Sequence, residues 1–490
     1  MAHVMKVLRS QSALSVFLRN LASLYSANIF AKFGAIILVI MAARYLGAED
    51  FGRFSFIVSF TSLGAALTDF GINFYLIRTI ARYQNRALGL VSDAAGLKLL
   101  LSAAVVVIVW AVSFSPQFSA REALGLRVAS LTLALDTLVQ QIYAIFRGFQ
   151  RMHFESLGVS LETIVTVLLG IFLVVSTRNL VLLLSAYLLA KIINLSVLAT
   201  LSSRQGTRLG FSFDFAAWGK LIKSSLPFAL NIFLGLAAFR MDVILLRFVR
   251  DPQQVGLYRA ALSIVVTVTI FAYMYQAALY PALSRFFVAS EARLVEAIRG
   301  SLVLLAAIGL LAALVVAQLA KPLVGILFGS SYIPAAQILQ VLVVMLPLKF
   351  VDQVLGITLD SVDRQNVRPF VAGAAIVSNF LLNYVLIKAF AARGAAAATV
   401  LTEALVFLLY SVLVTRFVGK LRIRWALARL VIAAALSLVA MDVASHGGAL
   451  VQFAAGVITY FFLLYVLGLI SELKGFARSF SGAALEGLGA

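Results

Sequence analysis

Four basic residues lie inside long apolar stretches of this chain: Lys32, Lys191, Arg240 and Lys349. At the centre of a helix in hydrocarbon each would cost roughly 2.5 to 3.5 kcal/mol, and together on the order of 10 kcal/mol if left unpaired. They need partners or water. The same stretches offer Asp69, Asp136, Glu162, Asp242, Asp352, Glu403 and Asp442, enough carboxylates to neutralise every buried base. Structural pairing therefore competes with ligand binding at each position, and Lys191, Glu162 and Asp442 suit pairing first.

Helical spacing sorts the remaining candidates. Tyr25, Asn28 and Lys32 recur at intervals of three and four and share one polar face. Asn231, Gly235, Ala238 and Asp242 make a second such face, while Arg240 points about 200° away from Asp242 at about 100° per residue. Tyr273, Gln276 and Tyr280 line up just before Pro281, and Asp136, Gln140, Tyr143 and Arg147 form a continuous stripe. Tyrosine rings stack on pyranose rings, and amides both donate and accept, so these groups suit a carbohydrate. They equally suit hydrogen bonding between helices. The candidate substrate-binding residues are Lys32, Asn28, Arg240, Lys349, Asp136, Gln140, Tyr273 and Gln276, and the candidate coupling-ion carboxylates are Asp242 and Asp352.

The elements that must position them are membrane helices. Of 490 residues, 62% are hydrophobic and 12% charged, about half the charge of a soluble domain. Apolar stretches of about twenty residues, each able to cross a hydrocarbon core of roughly 30 Å as a helix, recur from end to end. The spans read as 20–44, 54–77, 90–113, 124–146, 157–177, 179–201, 219–247, 256–284, 301–320, 335–359, 369–390, 395–415, 425–443 and 449–470. The fold class is thus an all-α membrane protein of about fourteen transmembrane helices. The least marked split is between the fifth and sixth, at 176–179.

Basic residues set the orientation. The termini and even-numbered connections hold 25 Lys and Arg, Lys98 counted among them, and the odd-numbered connections hold 11. Both termini are accordingly expected in the cytoplasm, and the net charge of +20 reads as topology and not as a nucleic-acid surface.

A weak internal repeat divides the first twelve helices into two sixes. Ala43-Arg44-Tyr45-Leu46 with Phe51-Gly52-Arg53-Phe54 matches Leu246-Arg247-Phe248-Val249 with Val255-Gly256-Leu257-Tyr258. Adding 213 to Asp136, Gln140 and Arg151 lands on Lys349, Gln353 and Arg364. The expected domains are a six-helix lobe at 1–201, a second at 202–416, and two further helices with a cytoplasmic tail at 417–490. The opposite charges of Asp136 and Lys349 at equivalent positions lead us to expect these two to face each other across the lobe interface in one access state.

Several chemistries are excluded. With no cysteine there is no disulfide, thiolate metal site or cysteine nucleophile. His3, His153 and His446 are far apart, with no metal-ligand spacing. No G-x-x-x-x-G-K-[ST] phosphate loop, H-E-x-x-H helix or soluble insertion for a nucleotide domain occurs. Residues 1–20 lack a short apolar core with a small-residue cleavage site. We expect no catalytic residues, no metal, no cofactor and no nucleic-acid partner.

Ala42 to Phe60, AARYLGAEDFGRFSFIVSF, followed by Gly71 and the Arg78 to Arg82 segment, resembles the opening signature of Wzx-type polysaccharide flippases. These belong to the multidrug/oligosaccharidyl-lipid/polysaccharide exporter superfamily. Asp242-Val243-Ile244-Leu245-Leu246, Leu327-Phe328-Gly329 with Tyr332, and Gly394-Ala395-Ala396-Ala397 extend the likeness over nearly the whole chain. The resemblance implies a non-enzymatic flippase. It would carry an undecaprenyl-pyrophosphate-linked oligosaccharide to the periplasmic leaflet of the bacterial inner membrane, for O-antigen, capsule or exopolysaccharide. Two six-helix lobes would rock around a central cationic cavity, in which Arg or Lys supplies charge-assisted hydrogen bonds to a desolvated pyrophosphate. Expected partners are that lipid-linked oligosaccharide, membrane lipid, and polysaccharide polymerase and chain-length proteins. A drug antiporter of the same fold, or a membrane-embedded polymerase or ligase, is the alternative. The inside-basic charge pattern and the abundance of intramembrane bases argue against the first and short odd-numbered connections against the second.

Overall fold

A computed structural model describes residues 2–83, 87–205, 210–421 and 423–474. Outside the described part lie the side chains of His3, Lys6, Arg9, Arg19 and Asn231, together with Arg86, Arg208, Arg422 and Arg478. The described chain is helical throughout, without strands, and divides into two compact units. One holds Met1–Arg247 and Asp251–Gly256, the other Phe248–Arg250 and Leu257–Ala490. Ten stretches of described helix are long and apolar enough to cross a membrane, which makes this a multi-pass membrane protein.

The first unit is built from α1 (Ala2–Asp69), α2 (Ile72–Arg82), α3 (Ala87–Ser113), α4 (Ala120–Gly148), α5 (Met152–Thr177), α6 (Leu180–Arg204) and α7 (Phe215–Val249). Its α1 takes in the first expected span and most of the second, and the helical path breaks at Gly47 (φ 76°, ψ 170°). The second span, expected to run unbroken to residue 77, is interrupted at Phe70 and Gly71, with φ of 45° and 69°. Beyond the break Ile72, Leu76 and Ile80, one turn apart, bury one face of α2 against Val91, Leu97, Ile145 and Trp218. The split between the fifth and sixth spans falls at Arg178 and Asn179, where Asn179 caps α6 by accepting from the Val181 amide at 2.8 Å.

Two signature glycines in this unit lie back to back. A Cβ on Gly52 would stand 1.7 Å from the Pro252 carbonyl oxygen, and one on Gly256 would stand 1.9 Å from that of Ala48. No side chain fits there, so the helix ends that follow the matching Arg-containing motifs meet through bare backbone. Nearby, Arg247 makes a bidentate pair with Glu122 at 2.8 and 2.7 Å and donates to the Gln117 carbonyl at 3.1 Å. Its guanidinium also lies over the Phe56 and Phe118 rings.

The second unit comprises α8 (Pro252–Ala289) from Leu257 onward, α9 (Glu291–Gln318), α10 (Ala320–Phe328), α11 (Ala335–Leu342), α12 (Met345–Ser361), α13 (Arg368–Phe417), α14 (Arg424–Val443) and α15 (Ala449–Val466). The span expected at 335–359 is two helices, α11 and α12, that meet at Val343–Val344. In α13 the break is at Ala391 (φ 50°). Eight residues of straight helix would span about 12 Å, yet a Cβ on Gly394 would stand 2.0 Å from the Leu386 carbonyl oxygen. The chain therefore doubles back, as the spans 369–390 and 395–415 require. Arg250 caps the turn through the Ile387 and Lys388 carbonyls at 3.3 and 2.5 Å. Gly309 of α9 admits Pro347 and Phe350 of α12 at close range, and the Tyr460 hydroxyl ties α15 to the Ala307 carbonyl at 2.9 Å.

Candidate functional site

In the first unit the stripe on α4 turns toward α5 and α6. Asp136 accepts from the Lys191 ammonium at 2.5 Å, and Glu162 accepts from the same ammonium at 2.6 Å. Gln140 reaches Asp136 at 3.4 Å. Asn194 donates to Glu162 at 2.7 Å and to the Tyr143 hydroxyl at 3.0 Å. Lys191 is 12% exposed, so one ammonium shielded from water neutralises one of two flanking carboxylates. Lys191 and Glu162, two of the residues suited to structural pairing, thus pair with each other. At the end of the stripe Arg147 leaves the set and binds Glu155 through two bonds of 2.8 and 2.5 Å.

The second unit holds a similar set of charges arranged otherwise. Lys349 of α12 donates to Glu403 of α13 at 2.7 Å. Asp352, one turn further along α12, is 5% exposed, and both its oxygens are buried with no donor among the described residues. The second Glu403 oxygen is also buried and unbonded. Tyr273 of α8 is half exposed and within electrostatic reach of Lys349, while Gln276 is half-buried. Asp136 and Lys349 therefore each find an ion-pair partner within their own unit. The repeat explains why. Adding 212 to Lys191 gives Glu403, so Asp136–Lys191 and Lys349–Glu403 are the same interhelical pair with its charges reversed.

The other candidates scatter. Asn28 and Lys32 are exposed, and the Asn28 amide donates back to the Leu24 carbonyl of its own helix at 2.7 Å. Arg240 is half-buried, its guanidinium over the Phe239 ring at 5.4 Å. Asp242 is buried. Asp69, which composition offered to any base, is taken by Lys98 at 2.7 Å.

Lys98 is the residue that sequence reasoning misplaced. Counted with the connections, it is fully buried inside the first unit, between Asp69 and Asn73 at 2.7 and 2.6 Å. Those two residues flank the Phe70–Gly71 break, so one buried ammonium holds both sides of an interrupted helix. The available signal was Asp69 and Asn73 four residues apart on one face, which needs a cation. A further feature absent from the sequence reading is a cavity of about 570 Å³ in the second unit. Apolar side chains such as Val351, Leu355 and Phe407 line it, with Lys420, Arg424 and Trp425 also in its wall.

Solved membrane transporters share this fold. Over 91% of this chain and 98% of theirs, the coordinates match the lipid II flippase MurJ in an inward closed conformation, with a TM-score of 0.73 and 12% identity. An inward-facing multidrug resistance MATE family transporter of the MOP superfamily matches over 80% of this chain and 96% of its own, with a TM-score of 0.62 and 14% identity. At those identities the likeness is one of fold. The sequence profile described as polysaccharide biosynthesis protein matches residues 17–287, more than half of the chain, and the chain belongs to that family. It is also 25% identical over 186 residues to the probable low-salt glycan biosynthesis flippase Agl15 of Haloferax volcanii. That match covers 36% of this chain and 38% of the relative's length.

Proposed function

We propose that the protein is a flippase that moves a lipid-linked oligosaccharide across the membrane by alternating access. The observation that carries this reading is membership in the polysaccharide biosynthesis family on a fold like that of a lipid II flippase. The substrate is an undecaprenyl-pyrophosphate-linked unit for O-antigen, capsule or exopolysaccharide, handled in the bacterial inner membrane. Polymerase and chain-length proteins act beside it. Lobes at 1–201 and 202–416 move, and the helices within 417–490 accompany them.

Fourteen crossings follow from helix lengths. The stretches Ala22–Arg82 and Gln365–Phe417, at 61 and 53 residues, each hold a break and are long enough for two crossings. To the resulting twelve we add α7, 35 residues long, and the shorter apolar Val451–Val466. With both termini cytoplasmic, a C-terminal green fluorescent fusion glows and a C-terminal alkaline phosphatase fusion is inactive. The reverse pattern overturns the topology.

Lys32 and Arg240 are the cations we assign to the pyrophosphate, with Asn28, Gln140, Tyr273 and Gln276 as polar contacts and Asp136 and Lys349 as charges lining the path. Asp242 and Asp352 are the coupling carboxylates. The test is surface polysaccharide in a strain relying on this protein, scored with its membrane level. Lys32→Ala and Arg240→Ala lose export at normal protein level, and Arg240→Lys retains part of it, since a point charge replaces a planar fork. Normal export by both Ala variants overturns the assignment.

A further inference from the structure

The charges of the second unit do not balance as drawn. Lys349 contributes one positive charge, and Glu403 and Asp352 contribute two negative ones if both are ionised. Asp352 has neither oxygen bonded and Glu403 has one oxygen free, all three atoms shielded from solvent. An ionised carboxylate in that position would lack both hydration and a hydrogen-bond donor. The charged groups acting on Asp352 are Glu403 of α13 and Lys349 of its own helix. From α8, Tyr273 acts on Lys349, and from α9 the facing residue is Gly309, packed on Pro347 and Phe350. Arg368 of α13 lies against Gly356, one turn along α12, and is taken up by Asp360; among the described residues Lys349 is the cation acting on Asp352.

We propose that Asp352, Glu403 and Lys349 form a one-proton site, and that exchange of this proton drives the transport cycle. The coupling half of the proposal rests on the flippase reading, and the proton-binding half does not. Two carboxyl groups, one ammonium and one proton sum to zero charge. In this structure Lys349 is held by Glu403, so the proton belongs to Asp352. Lys349 and Asp352 are three residues apart on α12 and therefore neighbours on its surface, and the ammonium has three donors. When Lys349 turns from Glu403 to Asp352, Asp352 releases its proton and Glu403 takes one up, and the site stays neutral in both arrangements. Lys349 keeps 25% of its side chain exposed, so protein does not enclose the site on every side. A bound metal ion fits less well, because it would need several oxygen ligands beside an ammonium, and only three buried carboxylate oxygens are free.

The experiment is infrared difference spectroscopy of the purified protein in lipid nanodiscs while the pH is changed. At neutral pH the wild type shows the carbonyl band of a protonated carboxylic acid, which is lost on alkalinisation. Asp352→Asn removes that band, Asp352→Glu shifts it, and Asp136→Asn leaves it unchanged because Asp136 is already paired with Lys191. In liposomes the wild type responds to an imposed proton gradient, and Asp352→Asn loses that response. Absence of any such band in the wild type overturns the proposal whether or not the variants fold, as does a band surviving both Asp352→Asn and Glu403→Gln. If the band behaves as expected but no lipid-linked oligosaccharide moves, the proton site stands and the flippase reading fails.

Discussion

Each unit contains a lysine and two carboxylates at the depth of its apolar helices, and the two sets are wired differently. In the first, Lys191 stands between Asp136 and Glu162 and touches both. In the second, Lys349 touches Glu403 and leaves Asp352 without a partner. The difference comes from where the third group is rooted. Glu162 and Asp136 sit on separate helices, α5 and α4, and approach Lys191 from two sides. Asp352 shares α12 with Lys349, whose ammonium is bonded to Glu403 of α13 instead. A three-helix set is a closed clamp, and a two-helix set leaves a choice. We read the first as a fixed part of the path's lining and the second as a place where charge can move.

Substitutions separate the two readings, starting with the largest effect. Lys191→Met leaves two carboxylates facing each other in a shielded site, and breaking such a set costs about 3–5 kcal/mol. Thermal unfolding of the purified protein in detergent should show a clear drop in midpoint. An unchanged midpoint would mean the clamp holds nothing. Lys349→Met is expected to cost less, about 1–3 kcal/mol, because only Glu403 loses a partner. Adding Glu403→Gln should restore most of that loss, and the double-mutant cycle reports the coupling directly. Strict additivity would show that the two residues do not interact in the native state.

The smallest effect sharpens the comparison most. Asp352→Asn replaces a neutral acid with an amide of the same shape, so stability should change by less than about 1 kcal/mol. Export should nevertheless fall. The same exchange at Asp136 removes an ionised partner of Lys191 and should lower the unfolding midpoint measurably. Equal thermal losses at Asp136 and Asp352 would erase the distinction between clamp and switch.

How much of this was legible beforehand depends on the length scale. Apolar period and length placed most of the long helices, though not α10, and the spans that meet within α1 and α13 adjoin breaks at Gly47 and Ala391. The break at Phe70–Gly71 and the junction at Val343–Val344 lay hidden, because a broken helix keeps an unbroken apolar composition. Among charges, the Lys191–Glu162 pair could be anticipated from type and position. Lys98, eleven residues inside α3, was masked by the basic connection before it, and only Asp69 and Asn73 hinted at its place.

The sequence by itself determined that the chain lives in a bilayer, that it is all helix, that it is built on a repeat and that it resembles polysaccharide flippases. These follow from composition, period and motif, which are properties of neighbours along the chain. Only the tertiary structure decided which charges cancel. The repeat aligned Asp136 with Lys349, and the packing of α4 on α6 and of α12 on α13 gave each an ion-pair partner inside its own unit. Ion pairing falls off within a few ångströms, and distances that short between residues more than fifty positions apart are set by how helices pack.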